Sequence, residues 1–131
     1  LGLKHFDGAG TLRSKESAIG AVDAVATLPV AAVLDMCSPP DEITAVLPQL
    51  RSAFEGPLGA YANIGYGQDP NARGDTTKQW HRIDIGANTP GRYADYARGW
   101  LAEGAQIIGG CCASTPEHIA ALRALIPTTG H

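Results

Sequence analysis

The sequence has little of what marks membrane proteins or nucleic-acid-binding proteins. No apolar run approaches the roughly 20 residues that cross a bilayer. Lys and Arg number only 10 in 131 residues, form no cluster, and leave a net charge of −3. A phosphate backbone or an anionic membrane is therefore not expected as a partner. The glycines form no phosphate-binding fingerprint, so a nucleotide site is not expected either.

Cysteine is scarce as well, and the few cysteines do not favour a disulfide framework. There are three, an odd number. The sequence does not begin with the charged and then apolar segment of an export signal. We therefore expect a cytoplasmic protein whose thiols are free or bound to a metal.

Apolar runs and helical stripes alternate along the chain. Hydrophobic residues make up 44% and charged residues 18%, which is typical of one soluble globular domain over residues 1–131. Strands are predicted at residues 1–6, 30–35, 57–61 and 105–108.

A helix is predicted after each strand. The first covers residues 17–28, the second follows Ser38 and its two prolines, and the third runs from Thr89 to Gly104. The fourth begins near Ser114. The side chains predicted to face inward include Ile43, Val46, Leu47, Leu50, Tyr93, Tyr96, Trp100, Ile119, Leu122 and Leu125.

This β-α alternation predicts an α/β fold with parallel strands and helices outside. Four βα units are about half of a (β/α)₈ TIM barrel, which typically needs roughly 250 residues. Between the third strand and the third helix, residues 62–88 are polar and rich in Gly, Asn and Asp. A loop of that length is often functional.

All three cysteines follow predicted strands. Cys37 comes after the second strand, and Gly109-Gly110-Cys111-Cys112 comes after the fourth. In a parallel barrel these strand ends lie at the catalytic face. We expect the two glycines to let the backbone turn sharply, so that both adjacent cysteines point at one ion. Three thiolates with one open position are typical of a catalytic zinc site.

Two other interpretations of the cysteines remain open. They are ordinary buried residues, or the adjacent pair is a redox switch. If they bind Zn²⁺, a thiol substrate that enters the open position loses its proton and becomes a nucleophile. A sulfur-rich site of this kind favours alkyl transfer to sulfur over hydrolysis.

Several segments resemble the homocysteine S-methyltransferase family. Residues 104–112 and 115–119 are similar to that family's last strand and helix. Cys37 with the following Ser-Pro-Pro is similar to its first zinc cysteine, and residues 61–65 resemble its Tyr-Pro-Asn-Ser-Gly segment.

The resemblance implies a (β/α)₈ barrel with zinc bound by Cys37, Cys111 and Cys112. It also implies homocysteine as the fourth ligand, a methyl donor, and methionine as the product. The sequence departs from the family at Met36, where Asn is usual, and at Tyr66, where Glu is usual. It matches only the C-terminal half of the family, so we expect a complementing N-terminal half-barrel or self-association.

Four further residues are candidates for smaller roles. Asn63 follows a strand end and is the candidate substrate-binding residue. Asp35 either orients Cys37 or caps its strand. His118 is expected in solvent at the start of the last helix, and His81 is expected on the surface of the long loop.

Three hypotheses for function follow. The first is a zinc-dependent thiol methyltransferase of the homocysteine type. The second is a zinc-binding half-barrel module that does not catalyse methyl transfer. The third is an inactive remnant.

Overall fold

Strand and helix alternate along the chain, as the apolar pattern predicts. The computed structural model describes residues 1–4, 9–12, 16–68, 80–82 and 85–127. The elements are β1 (Gly2–Leu3), α1 (Ala18–Ala24), β2 (Val33–Met36), α2 (Pro40–Ala53), β3 (Leu58–Ala62), β4 (Tyr66–Gln68), β5 (Trp80–Arg82), a 3₁₀ turn (Ile85–Ala87), α3 (Pro90–Ala102), β6 (Ala105–Gly110) and α4 (Pro116–Arg123).

Four strands form one parallel sheet in the order β1-β2-β3-β6. In the register, Val33 lies opposite Leu58, and Ala62 lies opposite Gly110. All four carboxyl ends therefore meet at one edge of the sheet. The α/β prediction of parallel strands alternating with helices is confirmed. The strands before Cys37 and Cys111 are separated by β3 alone.

The core lies between the sheet and the helices. Val33, Leu58, Ala60 and Ala62 are fully buried on this side of the sheet. From the helices, the fully or almost fully buried side chains are Ile43, Val46, Leu47, Leu50, Tyr93, Ala97 and Trp100. Each large apolar side chain buried here contributes about 1.5–3 kcal/mol to folding. This packing fixes the strand ends that carry the cysteines.

Local sequence signals set the helix starts. The Ser17 side chain accepts from the Gly20 N–H at 2.9 Å, and the Thr89 side chain accepts from the Arg92 N–H. Pro40 and Pro90 occupy first-turn positions, where a missing N–H has no cost. Helix α1 ends at Ala24, earlier than the predicted residue 28. None of the described helices is long and apolar enough to cross a membrane.

The other side of the sheet, which we call the inner face, is only partly covered within the described residues. It carries Leu34, Met36, Tyr61 and Ile107, and Ile107 is 40% exposed. Gly59 lies between Leu34 and Ile107. A Cβ at this position would be 2.8 Å from Leu34 Cδ2 and 3.0 Å from Ile107 Cβ. The Tyr61 hydroxyl donates to Met36 Sδ at 3.2 Å.

Three predictions about the elements need correction. The segment 62–88 is not only loop, because β4 and β5 pair antiparallel within it; two three-residue strands carry too little periodicity to be detected. The fourth strand continues to Gly110. Ile119 was expected to face inward but is 47% exposed, whereas Leu122 is buried.

Candidate metal centre

The three cysteine sulfurs converge at the carboxyl edge of the sheet. Cys37 Sγ lies 3.0 Å from Cys111 Sγ and 3.9 Å from Cys112 Sγ, and the two adjacent cysteines are also 3.9 Å apart. Four ligands about 2.3 Å from a tetrahedral Zn²⁺ lie about 3.8 Å from each other. Two distances already match this spacing, and the third needs to open by less than 1 Å. The donor set therefore fits zinc.

Strand β3 holds the two cysteine loops side by side. The Cys37 N–H donates to the Tyr61 carbonyl at 3.0 Å, and the Cys111 N–H donates to the Ala62 carbonyl at 3.1 Å. Both cysteines therefore extend the pairing of their strands with β3 by one bond. This is how residues 74 positions apart reach each other.

The loop after β3 joins both cysteine loops. The Asn63 N–H donates to the Ser38 carbonyl at 3.0 Å, and the Ile64 N–H donates to the Cys112 carbonyl at 3.1 Å. The Asn63 side chain is 2% exposed, and its Oδ1 accepts from the Gly65 N–H at 2.8 Å. This contact shapes the middle loop. A direct role for Asn63 in binding substrate stays a prediction.

The backbone enters the left-handed region at Cys37 and at Ala113, the residue after the two adjacent cysteines, rather than at the glycines. Cys37 has φ 59° and Ala113 has φ 64°, in the left-handed region that costs a non-glycine residue roughly 1–2 kcal/mol. Gly109 and Gly110 have no positive φ. Gly110 is needed for close approach, since a Cβ there would be 2.6 Å from Ser114 Cβ. The expected reason for the glycines was therefore wrong.

The surroundings of Cys37 disfavour its thiolate form. Burial raises the pKa of the Cys37 thiol to about 12, and the hydrogen bond and charge of Cys111 add to the effect. Cys112 is exposed, so the cluster is open to solvent on its side. A divalent cation that binds here must displace the thiol protons, which couples its binding to proton release.

This sheet and cysteine arrangement has relatives of known name. A family model described as Homocysteine S-methyltransferase matches residues 4–126. This chain belongs to the homocysteine S-methyltransferase family.

Two curated members and one solved structure show the extent of the similarity. The chain is 34% identical over 90 residues to homocysteine S-methyltransferase YbgG of Bacillus subtilis, covering 69% of this chain and 26% of that protein. It is 38% identical over 88 residues to homocysteine S-methyltransferase of Escherichia coli, covering 67% and 26%. The metallated form of the E. coli homocysteine methyltransferase MmuM superposes with a TM-score of 0.70 at 28% identity, covering 96% of this chain and 35% of that one.

This family member therefore spans about a quarter of the length of the curated relatives it matches and about a third of the solved structure. Among the residues that the structure describes, Cys37, Cys111 and Cys112 are the group with metal-ligating atoms close together, all within 4.8 Å of one another. These are the three cysteines that the sequence predicts as zinc ligands, and their role as ligands stays a prediction.

His118 is not in solvent, so that expectation was wrong. It is 4% exposed, and its Nδ1 accepts from the Thr115 N–H at 3.2 Å. Its Nε2 donates to the Asn88 carbonyl at 2.8 Å, which places the proton of a neutral ring on Nε2. His118 therefore takes the place of the usual Glu or Gln in a capping box at the start of α4. The sequence signal for this burial is the spacing of Thr115 and His118, which is that of a capping box.

Two candidates remain, Asp35 and His81. Asp35 is fully buried and alternates with Met36 of the inner face. Its two alternative roles, orienting Cys37 or capping the strand, stay predictions. The side chain of His81 lies outside the described part of the chain.

Proposed function

We propose that this chain is part of a zinc-dependent enzyme that transfers a methyl group to the thiol of homocysteine and gives methionine. Cys37, Cys111 and Cys112 are the proposed zinc ligands. The observation that carries the proposal is the convergence of their three sulfurs, within 4.8 Å of one another, at the carboxyl edge of the sheet. The family and the metallated relative support it.

The cysteines supply the chemistry that thiol alkylation needs. Zn²⁺ held by three thiolates would lower the pKa of a thiol in its fourth position and keep that thiol deprotonated at neutral pH. The exposed Cys112 marks the side from which a substrate can approach. In the reaction, the substrate sulfur forms a bond to the methyl carbon as the bond between that carbon and the donor breaks. The thiol proton passes to solvent.

The rest of a barrel is a second part of the proposal. The inner face exposes Ile107 and leaves Leu34, Met36 and Tyr61 only half-buried, and β1 and β6 are the sheet edges. Proteins cover such faces and edges. We propose that the remaining strands come from further sequence of the same polypeptide, from a complementing half-barrel chain, or from a second copy. The free thiols favour a reducing cytoplasm.

The partial barrel also keeps a second candidate function open. A three-cysteine cluster on the four-stranded sheet of the described residues is suited to bind zinc without catalysing methyl transfer. This candidate is a zinc-binding module of the same fold. It predicts bound zinc together with no turnover under any assembly.

One experiment separates these functions. Zinc content is measured on protein purified under reducing conditions, and methionine formation is measured with homocysteine and each of S-methylmethionine, S-adenosylmethionine, betaine and a methylated folate. The protein is assayed alone and with a candidate N-terminal half-barrel. Cys37→Ala should abolish both signals, while Ser52→Ala on the exposed side of α2 should leave them unchanged. Absence of stoichiometric zinc in the unmodified protein would refute the proposal.

A further inference from the structure

Tyr93 places a buried hydroxyl between the ends of the two strands that support the cysteine loops. The residue lies on α3 and is 0% exposed. Its hydroxyl accepts from the Ala62 N–H of β3 at 2.9 Å. The Gly109 carbonyl of β6 lies 2.8 Å from the same hydroxyl, and the Ala62 carbonyl lies at 3.3 Å. The single hydroxyl proton is best directed to Gly109, the nearer acceptor.

The residues that contact the Tyr93 hydroxyl are themselves bonded or adjacent to the backbone segments that carry the cysteines. Ala62, which donates to Tyr93, also accepts from the Cys111 N–H at 3.1 Å. Gly109 is two residues before Cys111, and it pairs with Tyr61, whose carbonyl accepts from the Cys37 N–H. A movement of the hydroxyl therefore changes the position of both backbone segments that end in the cluster.

The aromatic ring is held on two sides, so the hydroxyl has a defined position. Trp100 meets the Tyr93 ring edge-to-face at 5.7 Å between centroids, and His118 does so at the same distance. Such packing limits ring movement. Burial raises the pKa of Tyr93 to about 12, so the hydroxyl keeps its proton under ordinary conditions.

We propose that Tyr93 is a positioning residue for the cysteine cluster, and that its hydroxyl sets the spacing between the ends of β3 and β6 and hence the position of Cys111 relative to Cys37. The inference rests on the proposed function where it treats the cysteines as metal ligands. The geometric part, the relative position of two thiols, stands without a metal. The residue was expected from the sequence to be ordinary helix packing, because nothing local indicates where its hydroxyl goes.

The test replaces Tyr93 with Phe, which removes the hydroxyl and keeps the ring. The matched control is Tyr96→Phe on the same helix, where the ring stacks on Trp100 at 6.3 Å. Zn²⁺ affinity is measured by chelator competition, and Co²⁺-substituted protein is examined by absorption. Outer-shell changes at metal sites typically lower affinity about 10–100-fold. We expect a loss in that range for Tyr93→Phe, with altered sulfur-to-cobalt bands, and less than a twofold change for Tyr96→Phe.

A rescue substitution at position 93 and two contrary results complete the test of the Tyr93 proposal. Incorporation of 4-aminophenylalanine at position 93 restores a donor at the same place and should recover most of the affinity. Equal Zn²⁺ affinities and Co²⁺ spectra for Tyr93→Phe and Tyr96→Phe would overturn the proposal. A Tyr93→Phe protein that does not fold would assign the hydroxyl to the fold instead of the site, and would also overturn it.

Failure of the proposed zinc function can be distinguished from failure of the proposed role of Tyr93. If the unmodified protein binds neither Zn²⁺ nor Co²⁺, the metal proposal fails, and the positioning role is read from thiol alkylation rates followed by mass spectrometry. Tyr93→Phe should then change the ratio of the Cys111 and Cys37 rates at least threefold relative to Tyr96→Phe. An unchanged ratio would exclude the positioning role.

Discussion

Cys37 and Cys111 are separated by 74 positions in the chain, and their sulfurs are 3.0 Å apart. The parallel sheet produces this approach, because β3 lies between the strands that precede the two cysteines and bonds to the backbone of both. Cys112 joins them at 3.9 Å from each. Two of the three distances match the spacing of ligands around a tetrahedral zinc ion, and the 3.0 Å distance between Cys37 and Cys111 must open by less than 1 Å to do so.

If the cysteines bind zinc as proposed, removal of one thiol should weaken zinc binding without unfolding the protein. For Cys37→Ser we expect Zn²⁺ affinity to fall more than about 100-fold, since a ligand contributes more than the outer-shell groups whose loss costs about 10–100-fold. The serine is nearly isosteric, so the melting temperature of the metal-free protein should change little. Chelator competition and thermal unfolding measure the two quantities. Retention of tight binding by Cys37→Ser would exclude this residue as a ligand.

Gly110 should tolerate no side chain, although its φ is ordinary. A Cβ would lie 2.6 Å from both Cβ and Oγ of Ser114. We expect Gly110→Ala to lower the free energy of unfolding by about 1–3 kcal/mol, as overpacking does, and to weaken Zn²⁺ binding. Gly99→Ala is the control, because nothing lies within 4 Å of its Cβ position in α3. That variant should gain about 0.4–1 kcal/mol. Equal urea midpoints for the two variants would contradict the close-approach explanation.

The fold could be predicted where the signal is local. The apolar run before Cys37 and the Pro-containing helix starts at Pro40 and Pro90 each lie within a few residues of the element they specify. The cysteine cluster followed from these strands, because parallel strands bring their carboxyl ends to one edge.

The missed features depend on contacts between distant segments. His118 can be buried because its ring N–H donates a hydrogen bond to the carbonyl of Asn88, 30 positions earlier. The Tyr93 hydroxyl reaches Ala62, 31 positions earlier. The left-handed conformations of Cys37 and Ala113 are imposed by the packing of three loops. They could not be predicted from the sequence, because neither Cys nor Ala favours that conformation.

A side-chain hydrogen bond joins α2 to α3. Trp100 Nε1 donates to Thr44 Oγ1 at 3.0 Å, and the Trp100 side chain is fully buried. Thr44→Val keeps the shape and leaves the indole N–H without this acceptor, so we expect a loss of about 1–3 kcal/mol in the free energy of unfolding. Thr44→Ser keeps the hydroxyl and should lose less than half as much. Urea unfolding followed by Trp fluorescence measures both, and similar losses would show that the methyl group matters more than the hydrogen bond.

The inner face should determine assembly. Ile107 is 40% exposed on β6, at the edge of the sheet, next to half-buried Leu34 and Tyr61. If other barrel strands cover this face, Ile107→Lys places an ammonium group in an apolar interface and should weaken association at least tenfold. Ile126→Lys is the control, because Ile126 is 45% exposed, follows the end of α4 and lies in no strand of the sheet. Analytical ultracentrifugation over a concentration series measures association of the protein alone and with a candidate N-terminal half-barrel. A monomer under both conditions would exclude coverage of this face by a second copy and by the half-barrel chain that was tested.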